Sequence, residues 1–597
     1  MIKTPLSATS DFPTYAITVD GSAIKDTYQV IGITIEKEIN AINTAKIVLM
    51  DGDTSEEKFA ASEAADFVPG KKIEISLGYH ATNETVFKGV ITAQHIKVRS
   101  TSSRLVSQLT LKCADEALKL TVSKKSKYFK DKKDSEAISS ILSEAGVTKK
   151  VDATDFTHKK LVQYDCTDWD FILSRAEVNG LMAVCNDGTL EIVKPVFSDA
   201  AVLAVTYGQD IIDFSAELDS QYQVESVSCA SWDGTQLKLS SGTSAEPGVN
   251  AHGDITGKKL SEVLGAGVYN MQTTVPEDAS VLKTWANARL QKFRLAKIRG
   301  YVSFPGHAAP KLGKIIQLNG FGTRFNGDAF ISGVHHELEA GRWITKVIFG
   351  FDPKWFFELK TIMSPPAMGV TPGVHGLQIG TVKQIDEDPD GEYRILVDIP
   401  VIEASGIGVW ARLLQEYASS DIGTYFLPEV ADEVVVGFLN DDPRFPVILG
   451  SVYGKKKKPP YTPEKKNNTK AIVTKSKLKF VFDEEKKSIT IETPGGNKVT
   501  FSDDAKSIEM VDQNKNKVTL SADGIALDSP KDITVTSKGK FSVDAMNVAI
   551  SSKGDVTIEG NNVNAKAKIA FVAQGSAQAA LKASGQVEVK GAMVMIN

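Results

Sequence analysis

The sequence predicts a mainly β protein with three parts. These are an α+β block at the N-terminus, a small OB-fold-like barrel, and a C-terminal trimeric, intertwined β-helix. Three observations predict this order: alternating apolar runs near the N-terminus, a short unit of five β-type runs, and a final ladder of apolar pairs at nearly fixed spacing. The predicted limits are 1–360 for the block, 361–375 for a Pro- and Gly-rich linker, 376–454 for the barrel, 455–474 for a second linker and 475–597 for the β-helix.

Length and composition restrict the class of protein. The chain has 597 residues, which is too many for one hydrophobic core, and 42% hydrophobic and 24% charged residues, which is ordinary for a globular protein. The net charge of −5 argues against a general nucleic-acid binder. We find no apolar h-region of a secretory signal and no run of 18 apolar residues, so export is expected to use another route.

The four cysteines are spread along the first 230 residues and form no CxxC motif. In a chain of this length they predict buried free thiols in a reducing compartment rather than a disulfide framework. The four are Cys113, Cys166, Cys185 and Cys229.

Helical periods interrupt the β pattern inside the first block. DSEAISSILSEAG, with Asp134 or Ser135 as N-cap, predicts a short helix that ends at Gly146. TDWDFILSRAEVNG predicts a second helix from Asp168 to Asn179, stopped by Gly180. A third is predicted within SVLKTWANARLQKFRLAK. The first block is therefore expected to be α+β.

The middle unit combines five apolar runs in about 80 residues, which suits a small OB-type barrel. The Asp-rich EDPDGE, residues 387–392, could suggest calcium, but it lies between two runs and predicts a hairpin turn. The runs are LQIGTVKQI, YRILVDIP, VWARLLQEYA, EVVVGFL and PVILGSVYG.

The C-terminal ladder repeats with a period that shortens along the chain. Its units begin nine or ten residues apart and then seven or eight apart, and each carries apolar residues at i and i+2, which share one face of a strand. Representative core positions are Ile533, Val535, Val556 and Ile558. Predicted strand starts are Ile489, Val499, Ile508, Val518, Ile525, Ile533, Phe541, Val548, Val556 and Val563.

The short period decides which kind of stack is predicted. Eight residues supply one strand and one corner, whereas a single-chain β-helix needs roughly 18 residues or more per coil to enclose a core. The simplest closed arrangement is three chains wound together, each supplying one side of a prism. Such a prism has no free lateral sheet edge.

Catalytic and metal-binding patterns are absent from the sequence. No GxGxxG, Walker A, HExxH or GxSxG motif occurs, and no histidine follows His375. His335 and His336 are adjacent, so on a strand they point to opposite faces and cannot easily share a metal. The ladder acids, such as Asp544, Asp555 and Glu559, are scattered. We therefore predict no catalytic residue, no cofactor and no metal.

Two motifs resemble one known family. Residues 427–454, LPEVADEVVVGFLNDDPRFPVILGSVYG, resemble the barrel signature of the VgrG family, and VWARLLQEYA resembles the strand before it. TDWDFILSRAEVNG resembles the hub signature of the same family. VgrG proteins are spikes of type VI secretion and related contractile injection systems, and they are similar to hub and needle proteins of contractile phage tails.

The resemblance implies a non-enzymatic homotrimeric spike. Its hub would seat on a ring of Hcp-like tube protein beside baseplate proteins, and its needle would carry a PAAR-type cap and meet the target-cell envelope on firing, without nucleic acid. Assembly in the bacterial cytoplasm is expected. The sequence does not separate a type VI machine from an extracellular phage-like particle. Barrel turns are assigned to Pro428, Gly437, Pro446 and Gly450, and cap contact to Met593, Val594, Met595, Ile596 and Asn597.

Departures from relatives point to a plain structural form. Only a short linker separates Gly454 from the ladder, which leaves no room for a lysozyme domain, and the ladder motif runs to Asn597. Two alternatives remain. A trimeric β-helical tailspike-type polysaccharide-degrading enzyme would need a carboxylate pair in a groove, and a trimeric adhesin would normally need an export signal.

Overall fold

Alternating apolar side chains produce strands along most of the chain. The computed structural model describes residues 2–5, 12–100, 105–233, 236–273, 275–360, 362, 364–400, 402 and 407–596. The chain divides into two compact units, Met1–Val452 and Tyr453–Asn597.

The first unit contains the helices and most strands of the described residues. The helices are α1 (Asp134–Glu144), α2 (Asp168–Val178), α3 (Gly257–Ser261), α4 (Ala279–Leu295), α5 (Gly322–Phe325) and α6 (Phe356–Leu359). The strands before the barrel are β1 (Pro13–Val19), β2 (Ser22–Ala23), β3 (Val30–Glu38), β4 (Thr44–Met50), β5 (Lys72–Tyr79), β6 (Thr82–Ser100), β7 (Leu105–Ala114), β8 (Lys124–Lys133), β9 (Lys149–Val151), β10 (Thr157–Thr167), β11 (Met182–Asn186), β12 (Thr189–Val193), β13 (Leu203–Thr206), β14 (Asp213–Leu218), β15 (Ser226–Asp233), β16 (Lys238–Thr243), β17 (Val268–Thr273), β18 (Ile298–Pro305), β19 (Ile315–Asn319), β20 (Gly327–Glu339) and β21 (Arg342–Phe349).

A large sheet organises this unit. Its strands follow the order β14-β18-β21-β20-β3-β4-β7-β6-β5-β1-β2, with β13 and β19 attached beside β20. Strand β4 illustrates why the sheet has one buried face. Its residues Ala45, Ile47 and Leu49 are buried, while the residues between them are not. The alternation places one face of the sheet in a hydrophobic core that includes Ile33, Phe87 and Trp343.

The predicted helices are confirmed, with one change at a cap. The N-cap of α1 is Lys133, not Asp134 or Ser135, because the side chain of Asp134 is drawn into a buried ionic contact described below. In α2 the side chain of Thr167 caps the backbone N–H of Asp170, and Gly180 follows the helix with a φ of 69°. That left-handed conformation ends the helix, as the sequence predicted.

The predicted five-stranded barrel is confirmed. Its strands close in the order β22-β23-β24-β28-β27, which is the pairing order of an OB-type barrel. Eight buried residues, including Val382, Val434 and Ile448, fill its core. Its strands are β22 (Gln378–Gln384), β23 (Ile395–Asp398), β24 (Val409–Leu413), β27 (Glu433–Phe438) and β28 (Pro446–Ser451), and a hairpin of β25 (Ala418–Ser419) and β26 (Ile422–Gly423) lies between β24 and β27.

The second unit begins with an antiparallel meander rather than with coils of a β-helix. Seven strands pair in chain order, each with the next. Here the spacing of nine or ten residues leaves room for a five-residue strand and a reversing turn, and several turns contain a residue with positive φ, such as Lys487, Lys506 and Gly524. The strands are β29 (Thr469–Val473), β30 (Lys479–Asp483), β31 (Ser488–Glu492), β32 (Lys498–Ser502), β33 (Ser507–Val511), β34 (Lys517–Ser521) and β35 (Gly524–Asp528).

The rest of the second unit, residues 529–596, is an extended chain with regular bends. No strand or helix is assigned in these described residues. Bends recur every seven or eight residues, so the predicted period is present although the strands are not. The bends lie at residues 530–531, 538–539, 546, 553–554, 561, 568–569, 576–577, 584–585 and 592.

Candidate functional surfaces

One face of the meander is apolar and uncovered. Cross-strand register aligns its apolar pairs into two columns, for example Phe480 opposite Ile491 and Phe482 opposite Ile489. The other face carries mostly small or polar residues such as Thr490, with a few valines such as Val481 among them. The apolar residues of the two columns remain accessible within the chain, since nine of the thirteen are 36–75% exposed and the other four are half-buried. The two columns consist of Ile472, Phe480, Phe482, Ile489, Ile491, Val499, Phe501, Ile508, Met510, Val518, Leu520, Ile525 and Leu527.

The predicted needle-core residues are also exposed in the single chain. Ile533, Val535, Val556 and Ile558 are between 55% and 71% exposed. Within residues 529–596 no backbone N–H bonds to a backbone carbonyl of the same chain. Exposed apolar side chains therefore occur in this segment together with backbone N–H groups that have no backbone acceptor.

The apolar end proposed for cap contact is exposed as well. Met593 and Met595 are about four-fifths exposed, and Val594 and Ile596 are exposed beside them. Asn597 lies outside the described residues. The contact of this end with a cap therefore stays a prediction.

The four barrel-motif residues lie close together but not all at turns. Pro428 is buried in the connection before β27, and Pro446 is the first residue of β28. Gly437 lies inside β27 opposite Val447, and Gly450 lies in β28 at a register shift, with a φ of 156°. The prediction that the two glycines form turns is wrong, because both are strand residues. Gly437 leaves the outside of the barrel without a side chain at its position, and Gly450 lies at a β-bulge.

A buried ionic cluster, which sequence reasoning missed, joins three elements of the first unit. The carboxylate of Asp134 accepts hydrogen bonds from Arg175 Nε at 2.7 Å, Asn179 Nδ2 at 2.9 Å and His158 Nε2 at 3.1 Å. Burial alone would raise the pKa of Asp134, but the hydrogen bonds from His158 and Arg175 outweigh it and hold this pKa well below its usual range. The cluster thereby ties α1 to β10 and α2.

Two further acids, the buried Glu177 and the exposed Glu358, hold the segment that precedes the barrel. Glu177 accepts from Lys292 Nζ and from the backbone N–H of Phe356, both at 2.5 Å. Glu358 accepts from Arg289 Nη1 at 2.8 Å, and the Arg289 guanidinium also lies over the rings of neighbouring aromatic residues. These contacts fix α6 against α2 and α4.

The adjacent histidines point to opposite faces, as predicted. His335 lies near Glu38, with 3.1 Å between Nε2 and Oε1, whereas His336 is buried with Nδ1 3.0 Å from the hydroxyl of Thr345. Burial, with smaller contributions from neighbouring positive charges, lowers the pKa of His336 to about 3. His336 is therefore neutral in the fold and packs in the core beside Trp343.

The stability of the first unit should depend on pH through His336. The unfolded chain protonates this ring near its ordinary pKa of about 6.5, but the folded chain does not do so until about 3. Stability is therefore lost as the pH falls below 6.5, by about 2 kcal/mol per such histidine between pH 7 and pH 5. Denaturant unfolding followed by tryptophan fluorescence tests this, and H336Q should show a flatter pH dependence. An equal slope in both proteins would contradict the assignment.

The described residues contain no cluster of His, Cys, Asp and Glu that could hold a metal. In the EDPDGE segment, Asp388 accepts from the guanidinium of Arg394 and from the backbone N–H of Glu392, so its oxygens serve a loop between β22 and β23. The four cysteines are free and buried, as predicted. No helix in the described part of the chain is long and apolar enough to cross a membrane.

Two family descriptions match this chain. Residues 9–340, more than half of the sequence, match the Alg8 N-terminal domain. The chain belongs to the Alg8 N-terminal domain family. In this Alg8-family chain, residues 378–453 match the type VI secretion system/phage-baseplate injector OB domain, which coincides with the closed barrel.

Curated relatives of the Alg8-family chain are VgrG proteins. An actin cross-linking toxin VgrG1 of Vibrio cholerae is 44% identical over 61 residues, and a type VI secretion system spike protein VgrG3 of the same species is 43% identical over 61 residues. Each match covers 10% of this chain and 6% of the relative. The cross-linking activity named for the first therefore belongs to that protein. With the OB domain, these matches confirm the resemblance to VgrG spike proteins.

Solved structures give a looser likeness. A tail protein from Neisseria meningitidis is 15% identical with a TM-score of 0.41, covering 58% of this chain and 98% of its own. An E. coli component of the type VI secretion system is 13% identical with a TM-score of 0.37. The match covers 73% of this chain and 99% of that protein. A Francisella PdpA–VgrG complex is 10% identical with a TM-score of 0.37. The match covers 87% of this chain and 88% of the matched chain in that complex. TM-scores this low support no further statement about this chain.

Proposed function

We propose that this Alg8-family chain is a non-enzymatic spike of a contractile injection apparatus and works as a homotrimer. Its first 360 residues act as the hub that meets an Hcp-like tube ring, the barrel connects hub and needle, and residues from 469 onward form the trimeric needle. Baseplate proteins surround the hub, and a PAAR-type protein caps the C-terminal end. The injector OB domain at 378–453 and the VgrG relatives support this assignment.

One observation carries the trimer. The second unit presents an uncovered apolar face on its meander, followed by the segment 529–596, whose backbone N–H groups bond to no backbone carbonyl of the same chain. Each unpaired buried polar group would cost about 1–3 kcal/mol, so a dry core can form only if other strands supply hydrogen bonds. Copies of the same segment offer the same period, and they can therefore pair along its whole length.

The mechanical role follows from that arrangement. A prism of three chains bonds every strand to neighbours, and unfolding one strand would expose the apolar core beside it. Such a needle transmits force along its axis without bending. No bond of a substrate is made or broken, and the work comes from the contracting sheath that drives the spike.

The mass of the purified full-length protein in solution tests the proposal. Light scattering should give three times the chain mass of 64.5 kDa. Hydrogen exchange should in addition show protected amides within residues 529–596, although the single chain provides them no backbone acceptor. A monomer with freely exchanging amides in this segment would overturn the proposal.

A further inference from the structure

A small hairpin projects from the barrel with an unusually apolar surface. This hairpin arm, residues 414–426, contains β25 and β26 and is closed by a hydrogen bond from the backbone N–H of Thr424 to the carbonyl of Tyr417. Five large apolar side chains on it are between 57% and 81% exposed: Leu414, Tyr417, Ile422, Tyr425 and Phe426. A two-stranded hairpin without a covered apolar face is marginal in water. The arm is therefore expected to pack against something.

The barrel carries a second apolar surface on its outer wall. Strands β22, β27 and β28 point Val382, Val436 and Ile448 into the core. Part of their outward surface is apolar too, beside the polar outward residues Thr381, Lys383 and Glu433. We call the apolar outward residues, together with the adjacent Leu377, the outer barrel face. They are Leu377, Ile379, Val435, Gly437, Val447 and Leu449.

Gly437 gives this face a groove. A methyl group built on Gly437 would lie 3.4 Å from Leu377 Cδ2 and 3.9 Å from Leu449 Cδ1, so the two leucines stand on either side of a strand position without a side chain. Leu377 is 63% exposed and Leu449 is 44% exposed, so the chain's own arm leaves both accessible. Strands with apolar residues on both faces are typical of sheets in which other protein packs against both faces.

We propose that the hairpin arm of one copy binds the outer barrel face of a neighbouring copy. The inference rests on the homotrimer proposed above. The arm and the face are different surfaces of one chain, so each contact between two copies is head to tail. Three such contacts close a ring in which every arm and every face is occupied. Any unrelated partner would have to supply both an apolar groove and an apolar arm.

The available area is that of a small contact. Fully buried aromatic side chains contribute about 150–250 Å² each, and Tyr417, Tyr425 and Phe426 are 57–81% exposed, so together they can bury roughly 300–500 Å² more. Leu414 and Ile422 bring the arm to the lower end of the ~600–1,000 Å² per partner of a standard interface. Tyrosines and aromatic anchors are also the residues that carry most binding energy at interfaces.

Cysteine cross-linking in the full-length protein tests this contact. S419C places a thiol on the arm, and E433C places one on an exposed β27 residue, two before Val435 on the same face. The native thiols are buried, and burial raises the pKa of Cys113 to about 12, so a bismaleimide should react only with the introduced pair. The matched control keeps S419C and pairs it with E392C in the exposed β22–β23 loop.

The expected product is a covalent trimer, formed about tenfold or more faster than in the control because the two thiols are held together. G437K, which charges the groove floor where there is room for a side chain, should abolish cross-linking and leave the mass trimeric. A trimeric mass with no covalent trimer, or cross-links only within one chain, would overturn the arm contact alone. A monomeric mass would instead overturn the homotrimer on which it rests.

Discussion

The double substitution V556D/I558D is expected to open the C-terminal needle while leaving the first unit folded. In a threefold prism each substitution places three carboxylates in one layer of the core. The effective penalty of burying a charge is several kcal/mol, so one layer would cost about 10 kcal/mol or more. No ion-pair partner repeats at that position, because Asp555 and Glu559 beside it are also acidic.

Thr557 provides the matched control. It lies between the two apolar positions, so on a strand its side chain points to the opposite face, and T557D should have little effect. Hydrogen exchange of full-length protein would measure the outcome, with protection lost around residue 556 in the double variant only. Equal protection in both variants would mean that Val556 and Ile558 do not face a core.

The second large effect is expected at Asp134. D134A removes an acceptor that is 3% exposed and leaves the charge of Arg175 and the ring of His158 without it. Breaking one partner of a buried ion pair costs about 3–5 kcal/mol, because the remaining charge stays desolvated. The denaturant midpoint of the first unit should fall accordingly, and the junction of α1, β10 and α2 should exchange its amides fastest.

Two further variants separate charge from packing. D155A, at an exposed acid close to the same cluster, should change stability by less than about 0.5 kcal/mol. The double variant D134L/R175M replaces both charges with apolar groups and should recover most of the loss. If the double variant were as unstable as D134A, the stability lost in D134A would come from altered packing. The explanation by an unpaired buried charge would then be wrong.

Local signals in the sequence predicted the barrel and the helices well. Each barrel strand is an apolar run bounded by turn residues, and the helix ends are marked by residues next in sequence, such as Thr167 before α2 and Gly180 after it. The arm was missed because VWARLLQEYA reads as one continuous strand. In the structure β24 ends at Leu413, the backbone N–H of Leu414 still bonds to Ile448 of β28, and the residues after it form the hairpin.

The rest depends on contacts that sequence spacing does not reveal. Asp134 meets Arg175 across 41 residues, and nothing near either residue marks the pair. The ladder shows the opposite case, because the change from a nine- or ten-residue to a seven- or eight-residue period is visible in the sequence. The structural effect of this change in period was not predicted. Only the structure shows that the longer period leaves room for reversing turns, so that this part forms a meander rather than a β-helix.

The regular bends of residues 529–596 have a consequence for assembly accuracy. Successive repeats are nearly alike, so a chain shifted by one repeat against its neighbours would form almost the same contacts and lose only those of the last repeat. Such a slip would be a long-lived error, because correcting it requires unzipping the whole stack. The meander at 469–528 has turns of five, four and two residues, so a chain shifted by one strand would place turns of different length beside each other. Pairing that starts there and proceeds toward the C-terminus would align the three chains before the repetitive part begins to zip.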